Sequence, residues 1–190
     1  MSRLRTAGSV LGLAAILGVA GVVAHLTPEG DDWQEPVAVP GVVGERAEGY
    51  NLAATVSSAE LADALDAGNG WTGETRGAWV VIELTAEAVR DDTGALLFAS
   101  LRIGDATYTA SERSRDTTLY RTGLATGIPV SGPVLFEVPA AALEAGEPAD
   151  LRLAATDDPR LDSLITVPID LASLEHRSVR ELPPVVRGAR

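Results

Sequence analysis

Apolar residues form one long run near the start of the chain. Residues 6–27 contain no Asp, Glu, Lys or Arg. Because an α-helix rises about 1.5 Å per residue, this run can cross the roughly 30 Å hydrocarbon core of a bilayer. Arg3 and Arg5 precede the run and acidic residues follow it, which favours a cytoplasmic N-terminus. The pattern therefore predicts a cytoplasmic segment at residues 1–5, a transmembrane anchor and an extracytoplasmic remainder.

A cleaved signal peptide is the alternative interpretation of the same run. Small and apolar residues at Val22, Val23 and Ala24 precede a possible cleavage before His25. The run is longer than the usual 7–15 apolar residues of a signal peptide, and Val22 suits a cleavage site less well than alanine would. We therefore expect an uncleaved anchor, with His25 at its outer boundary.

Small residues recur at helical spacing within the predicted anchor. A G-x-x-x-G pair is followed by a second small-x-x-x-small pair, and together they comprise Gly8, Gly12, Ala14 and Gly18. Such spacing lets two helices approach closely in a membrane. These four residues are the candidate packing face of the anchor against the lipid-embedded helix of another protein.

The pattern changes to a period of two after a linker. Residues 28–49 are rich in Pro, Gly and acids, which disfavours helices and sheet ladders. Alternating or β-branched runs then predict strands, and Gly- or Asp-containing turns separate them. The predicted strands cover residues 50–56, 77–86, 96–103, 107–109, 117–120, 133–139, 150–154 and 165–169.

About seven or eight short strands with regular turn signals are typical of an all-β, immunoglobulin-like sandwich. We expect that domain over residues 50–174. Residues 58–65 could instead form one or two helical turns or an extended insertion, since Leu61 and Leu65 are four apart. The arginine-containing residues 175–190 are expected to form a C-terminal tail that is extended over residues 178–182 and then frays, and contact with an acidic neighbour is the alternative.

Composition excludes several classes of function. The 190 residues include no cysteine, and all fifteen basic residues are arginine. Disulfides, cysteine nucleophiles and lysine-dependent chemistry are therefore absent. The formal net charge of −12 argues against nucleic acid as a partner, because nucleic acids attract basic surfaces.

No residues are singled out as catalytic, cofactor-binding or metal-ligating. His176 lies near Asp170 and Ser173 in the sequence, but no G-x-S-x-G motif supports a catalytic triad. Acidic loops could suit Ca²⁺, yet they lack the D-x-D-x-D-G pattern and are interpreted as solvated turns. The acids of these loops are Asp91, Asp92, Asp157, Asp158 and Asp162.

Three stretches resemble bacterial DUF4352-type immunoglobulin-like extracellular domains. They are a glycine followed by a Val-rich strand at residues 77–86, a strand–turn–strand at residues 101–111, and a glycine loop leading to F-x-V-P at residues 124–139. The resemblance spans residues 50–171. It implies a sandwich fold and an envelope location, and it supplies no catalytic residue.

The sequence thus predicts a non-enzymatic, single-pass envelope protein that presents an acidic domain to a partner protein. The candidate edge for strand addition comprises Thr117, Thr118, Leu119 and Tyr120. An accessory subunit of a membrane transporter or envelope complex remains an alternative. A secreted soluble binding protein is a further alternative if the N-terminal segment is cleaved.

Overall fold

The chain divides into two units, Met1–Glu35 and Pro36–Arg190. The computed structural model describes residues 16–22, 35–90, 94–160 and 162–188. In the first unit, residues 16–22 are helical and exposed. No helix among the described residues combines the length and apolar composition needed to cross a membrane. The other residues of the predicted anchor, and the predicted cytoplasmic segment, lie outside the described residues.

The second unit is built from strands. The described residues form thirteen of them: β1 (Val37–Pro40), β2 (Arg46–Glu48), β3 (Leu52–Asp66), β4 (Thr72–Ala88), β5 (Gly94–Ala95), β6 (Phe98–Ile103), β7 (Ala106–Thr109), β8 (Gly123–Leu124), β9 (Val130–Val138), β10 (Ala149–Ala154), β11 (Ser163–Ile169), β12 (Glu175–Glu181) and β13 (Val186–Arg187). A short α-helix, Ala140–Glu144, follows β9. Two 3-10 helices, Arg115–Thr117 and Leu171–Ser173, complete the regular structure of the described part.

The strands form two main sheets. Sheet A has the order β1-β11-β10-β6-β7, and sheet B has the order β12-β3-β4-β9-β13 with β2 also paired to β3. Most neighbours are antiparallel, but β1 runs parallel to β11 and β12 runs parallel to β3. β5 and β8 form a separate two-stranded sheet. The main core lies between sheets A and B, where alternate side chains of both are buried.

The centre of β4 is buried on both faces. Val80 and Ile82 belong to the core between the sheets, whereas Trp79 and Val81 belong to a second apolar cluster on the outer face of sheet B. The remaining buried members of that cluster are Ala62, Leu65, Leu135 and Leu182. The outer face of sheet B is therefore partly a core in its own right, which explains the nearly continuous apolar sequence of β4.

The C-terminal segment covers this second cluster. β12 pairs with β3 at one side of sheet B, and β13 pairs with β9 at the other side. Between these strands, Leu182 is buried in the second cluster, and its amide N–H donates to the carbonyl oxygen of Asp66 at 2.7 Å. The segment thus passes from one side of the sheet to the other and seals the cluster.

The all-β prediction is confirmed, but several predicted boundaries are wrong. The expected linker, residues 28–49, contains β1 and β2. The first part of the expected tail is extended as predicted and belongs to β12, but β13 follows where the tail was expected to fray. Residues 58–65 lie within β3, which agrees with the extended alternative and not with helical turns. These segments are strands because they pair with strands that are distant in the chain: β1 pairs with β11, and β12 pairs with β3. Local propensity does not carry that information.

The predicted strand at residues 117–120 is also wrong. Arg115–Thr117 forms a 3-10 helix, and Thr118 to Tyr120 lie in an irregular segment. The amide N–H of Leu119 and the hydroxyl of Thr118 both donate to the carbonyl oxygen of Pro133, at 2.8 and 3.1 Å. The segment therefore satisfies a backbone acceptor of β9 without forming a ladder of its own.

Candidate interaction surface

The predicted strand-addition edge is buried. Thr117, Thr118, Leu119 and Tyr120 all lie in the interior, with Thr118 and Leu119 fully enclosed. The amide N–H of Arg121, next in the chain, donates to the carbonyl oxygen of Leu96 at 2.8 Å. Because the backbone here is bonded on both sides to neighbouring segments, these residues offer no edge to a partner. The predicted binding edge is therefore wrong. The alternation of Thr and apolar residues gives no sign that this segment is buried.

The predicted packing face of the anchor is mostly outside the described residues. Gly8, Gly12 and Ala14 lie there. Gly18 lies in the helical residues 16–22, and a Cβ placed on it would meet no atom within 4 Å. Its surface is thus open to contact.

The acidic loop of residues 155–162 is occupied by its own contacts. The Arg160 guanidinium donates to Asp158 and holds the pKa of that carboxyl below its ordinary value. Asp157 pairs with Arg121 at 3.3 Å, and Asp162 accepts hydrogen bonds from neighbouring side chains and from the amide of Ser163. Within the described ranges, no three His, Asp or Glu side chains are placed to hold a metal ion. Asp91 and Asp92 lie outside the described residues.

His176 pairs with a residue distant in the sequence. Its Nε2 lies 2.8 Å from Oδ1 of Asp63, and both side chains are exposed. Asp170 instead accepts from the amide of Ala172 at 3.2 Å, and the Ser173 hydroxyl donates to the Asp170 carbonyl at 3.0 Å. The structure therefore assigns His176 to strand attachment and Asp170 to helix capping.

A groove lies on the outer face of sheet B. It has a volume of about 490 Å³ and is lined by small and polar residues, among them Arg46, Thr55, Thr85, Glu87 and Pro129. Its polar groups bond to one another or to close neighbours: Arg46 pairs with Glu87, and the Thr85 hydroxyl lies 2.7 Å from that of Ser131. Arg46, Glu87 and Thr85 of the lining are thus engaged in contacts within the protein.

The free edge of sheet B at β12 is densely charged. Glu175, His176, Arg177, Arg180 and Glu181 occupy five of its seven positions. The ladder to β3 is interrupted at Ser178. Charged side chains and ladder irregularities are the devices by which proteins protect an exposed edge from further strands.

Arginines of β12 also attach the strand to sheet B. Arg177 Nε lies 2.7 Å from Glu60, and Arg180 binds both Glu60 and Glu83, with 3.0 Å between Arg180 Nη2 and Glu83 Oε1. Burial raises the pKa of Glu83, and nearby Glu60 adds to the effect, although Arg180 acts in the opposite direction. This partly buried network joins β12 to β3 and β4.

The free edge of sheet A at β7 is different. Ala106–Thr109 has no charged residue and no proline, and β7 is the last strand in the order of its sheet. The hairpin that joins β6 to β7 was predicted from the sequence and is confirmed. Its position at the edge of the sheet depends on distant pairings and was not predicted.

The backbone of β7 presents hydrogen-bonding groups outward at two residues. The amide N–H of Ala110 donates to the carbonyl oxygen of Ala99 at 2.9 Å. Antiparallel ladders alternate, so Tyr108 and Ala106 also direct their backbone toward β6. Thr107 and Thr109 consequently direct their N–H and C=O groups away from the sheet. Both residues are exposed.

Comparison with known proteins supports the fold. No protein-family model and no curated protein matches the chain. An uncharacterized β-sandwich protein from Clostridium difficile 630 is similar, with a TM-score of 0.51 and 12% identity over 75% of this chain and 99% of that chain. The yjhA protein from Bacillus subtilis has a TM-score of 0.47 and 17% identity over 66% of this chain and 97% of that chain. At 12% identity the first likeness shows the fold alone, a β-sandwich.

Proposed function

We propose that the chain is a non-enzymatic, single-pass envelope protein whose sandwich binds a partner protein by strand addition at β7. The observation that carries this proposal is the uncharged free edge at Ala106–Thr109, where Thr107 and Thr109 direct unpaired backbone groups outward. A sheet edge of this kind is a template for an incoming strand. The other edges are charged, contain proline or are only two or three residues long.

The membrane part of the proposal is supported by the first unit. Residues 6–27 form an uncharged run, and within it the described residues 16–22 are helical with exposed apolar side chains. A helix that is apolar on all sides is suited to lipid rather than to water. With Arg3 and Arg5 on the cytoplasmic side, the sandwich would lie outside the cytoplasm.

The proposal includes a finer description of the fold. The sandwich would be immunoglobulin-like and of the DUF4352 type, as the motifs at residues 77–86, 101–111 and 124–139 suggest. In many such sandwiches the loops and free edges carry binding while the packed sheets supply a rigid frame.

Replacement of a single backbone N–H tests strand addition. Thr107→Pro removes an outward N–H and leaves the bonds to β6 intact, whereas Thr107→Val keeps the N–H. We would place a photo-cross-linking amino acid at Thr109 in the full chain in native membranes. A discrete adduct should form, persist in Thr107→Val and disappear in Thr107→Pro, with both variants folded by denaturant titration. An adduct of equal yield in a folded Thr107→Pro protein, or no adduct at all, would refute the proposal.

The membrane tether has its own test. Peptide mapping of the chain recovered from membranes should show that residues 6–27 are retained, and release of the chain should require detergent. A shortened chain that begins at His25 and is recovered in the aqueous phase would instead support the secreted alternative.

A further inference from the structure

A cleft opens at the start of β7. It has a volume of about 320 Å³ and lies between the β6–β7 turn and the helix Ala140–Glu144 with the residues after it. Its lining includes Asp105, Ala106, Ala142, Ala145 and Glu147. Since Ala106 is the first residue of β7, the cleft continues the free edge of sheet A.

The cleft is lined by both apolar and acidic residues. Ala106, Ala142 and Ala145 are the alanines of the lining, and Asp105 and Glu147 are its acids. No basic residue is part of the lining. Neither carboxylate forms an ion pair with another described residue, whereas the acids around β12 are paired with arginines. The negative charge of this cleft is therefore not balanced by a described arginine.

The turn that forms one wall is held in place by backbone geometry. Gly104 has a φ of +54°, a left-handed conformation that favours glycine. Its N–H donates to the carbonyl oxygen of Pro148 at 3.0 Å. A Cβ at Gly104 would lie 3.3 Å from Cγ of Glu147, so the absent side chain lets the two walls approach closely. The cleft is thus shaped before a partner arrives.

We propose that this cleft seats a basic side chain, arginine or lysine, of the strand that adds to β7. The inference rests on the proposed function, because the incoming backbone must pair with Thr107 and Thr109 to bring a side chain to the cleft. The aliphatic part of the side chain would lie on the alanine methyl groups, and its charged end would lie between Asp105 and Glu147.

The short edge makes such a side-chain contact necessary. Thr107 and Thr109 together present two N–H and two C=O groups, so an added strand gains few backbone hydrogen bonds. Backbone bonds also do not distinguish one sequence from another, and selection must come from side-chain pockets next to the edge. The partner class is therefore an extended segment with a basic residue at the position that meets Ala106.

Matched peptides provide the test. The probes are fluorescent heptapeptides of alternating valine and threonine that carry one arginine at either end, and the same peptides with neutral citrulline in place of arginine. Binding to the full chain in detergent is measured by anisotropy at about 50 and 500 mM salt. The better arginine peptide should bind about tenfold more tightly than its citrulline counterpart at low salt, and the ratio should shrink at high salt because charge pairs are screened.

Two double variants assign the preference to the cleft. Asp105→Asn with Glu147→Gln should bring the ratio between arginine and citrulline peptides close to one. Asp116→Asn with Glu144→Gln removes the same number of charges outside the cleft lining and should retain the ratio. A preserved ratio in the cleft variant, or an equal loss in the control variant, would overturn the inference.

The Thr107→Pro variant distinguishes failure of strand addition at β7 from failure of the basic-residue inference. Suppose that Thr107→Pro abolishes binding of both peptides, and that the unaltered chain binds the arginine peptide no more tightly than the citrulline peptide. Strand addition then stands and the basic-residue inference fails. If both peptides bind Thr107→Pro as they bind the unaltered chain, or neither peptide binds the unaltered chain, strand addition at β7 fails and the inference fails with it.

Discussion

The edge strands β12 and β7 belong to different sheets of one sandwich and have opposite chemistry. β12 has seven residues, of which Glu175, His176, Arg177, Arg180 and Glu181 are ionisable, whereas β7 has four residues and none of them is charged. Both edges face the same solvent and both could nucleate unwanted pairing. Their difference shows that protection from association is applied selectively in this molecule.

The way each strand is attached accounts for part of this difference. β7 follows β6 through a two-residue turn, so the hairpin is a local structure. β12 must find β3 across more than one hundred residues, and the ion pairs of Arg177 and Arg180 with Glu60 help to hold it there. The charges of β12 thus serve attachment as well as protection, and β7 needs neither.

The largest expected effect concerns the attachment of the C-terminal segment. Leu182 is 5% exposed and belongs to the second apolar cluster. We expect Leu182→Ala to lower the free energy of unfolding by about 2–5 kcal/mol, because it removes buried methyl groups and leaves a cavity. Denaturant titration measures the change. Val179→Ala on the adjoining strand, where Val179 is 55% exposed, is the control and should have an effect near zero. Equal effects would mean that Leu182 does not seal the cluster.

The next effect tests the alternation of backbone bonds along β7. Tyr108→Pro removes an N–H that points toward β6 and a partly buried ring that packs on the core. Its expected cost is about 2–4 kcal/mol of unfolding free energy. Thr107→Pro removes an outward N–H and should cost about 1 kcal/mol or less. A larger cost for Thr107→Pro would reverse the assignment of the outward residues and place the free backbone groups at Tyr108.

The sequence was sufficient for the class of fold because burial leaves a local pattern. The runs that contain Val80, Leu101 and Leu151 alternate or concentrate β-branched and apolar residues, and each became a strand. Gly104 and Asp105 between two such runs likewise predicted the β6–β7 hairpin, which is confirmed. These features depend on residues that are neighbours in the chain.

The candidate site depends on residues that are distant in the chain, and the sequence did not reveal it. The edge position of β7 follows from the order of five strands, and the cleft joins Asp105 to Glu147 across three intervening strands and the helix Ala140–Glu144. Residues 117–120 have the Thr and Leu content of a strand. In the structure, however, the Thr118 hydroxyl and the Leu119 N–H donate to the Pro133 carbonyl oxygen of β9. Short segments with one or two long-range bonds do not have a periodic signature.

A smaller effect separates the arginines of β12. The side chain of Arg180 is 23% exposed and contacts both Glu60 and Glu83, whereas that of Arg177 is 48% exposed and contacts Glu60 and the more exposed Glu175. Arg180→Met should cost about 1–3 kcal/mol, since it leaves Glu83 partly buried without its cation. Arg177→Met should cost less than about 1 kcal/mol. Thermal and denaturant unfolding of both variants measure the difference, and a reversed order would place the attachment of β12 at Arg177.

The smallest effect is a pH dependence that originates at Glu83. Burial raises the pKa of this carboxyl above its ordinary value of 4.5, so the folded chain binds the proton more tightly than the unfolded chain. The contribution of Glu83 to stability is therefore greatest below 4.5 and declines as the pH rises through the raised pKa. We expect the unfolding free energy of the unaltered chain minus that of Glu83→Gln to fall between pH 4 and pH 7. Glu144→Gln, on the exposed helix, should give a flatter difference. A rise with pH would mean that the attraction of Arg180 for ionised Glu83 outweighs the effect of burial. The ion pair between Arg180 and Glu83 would then help to hold β12 on sheet B.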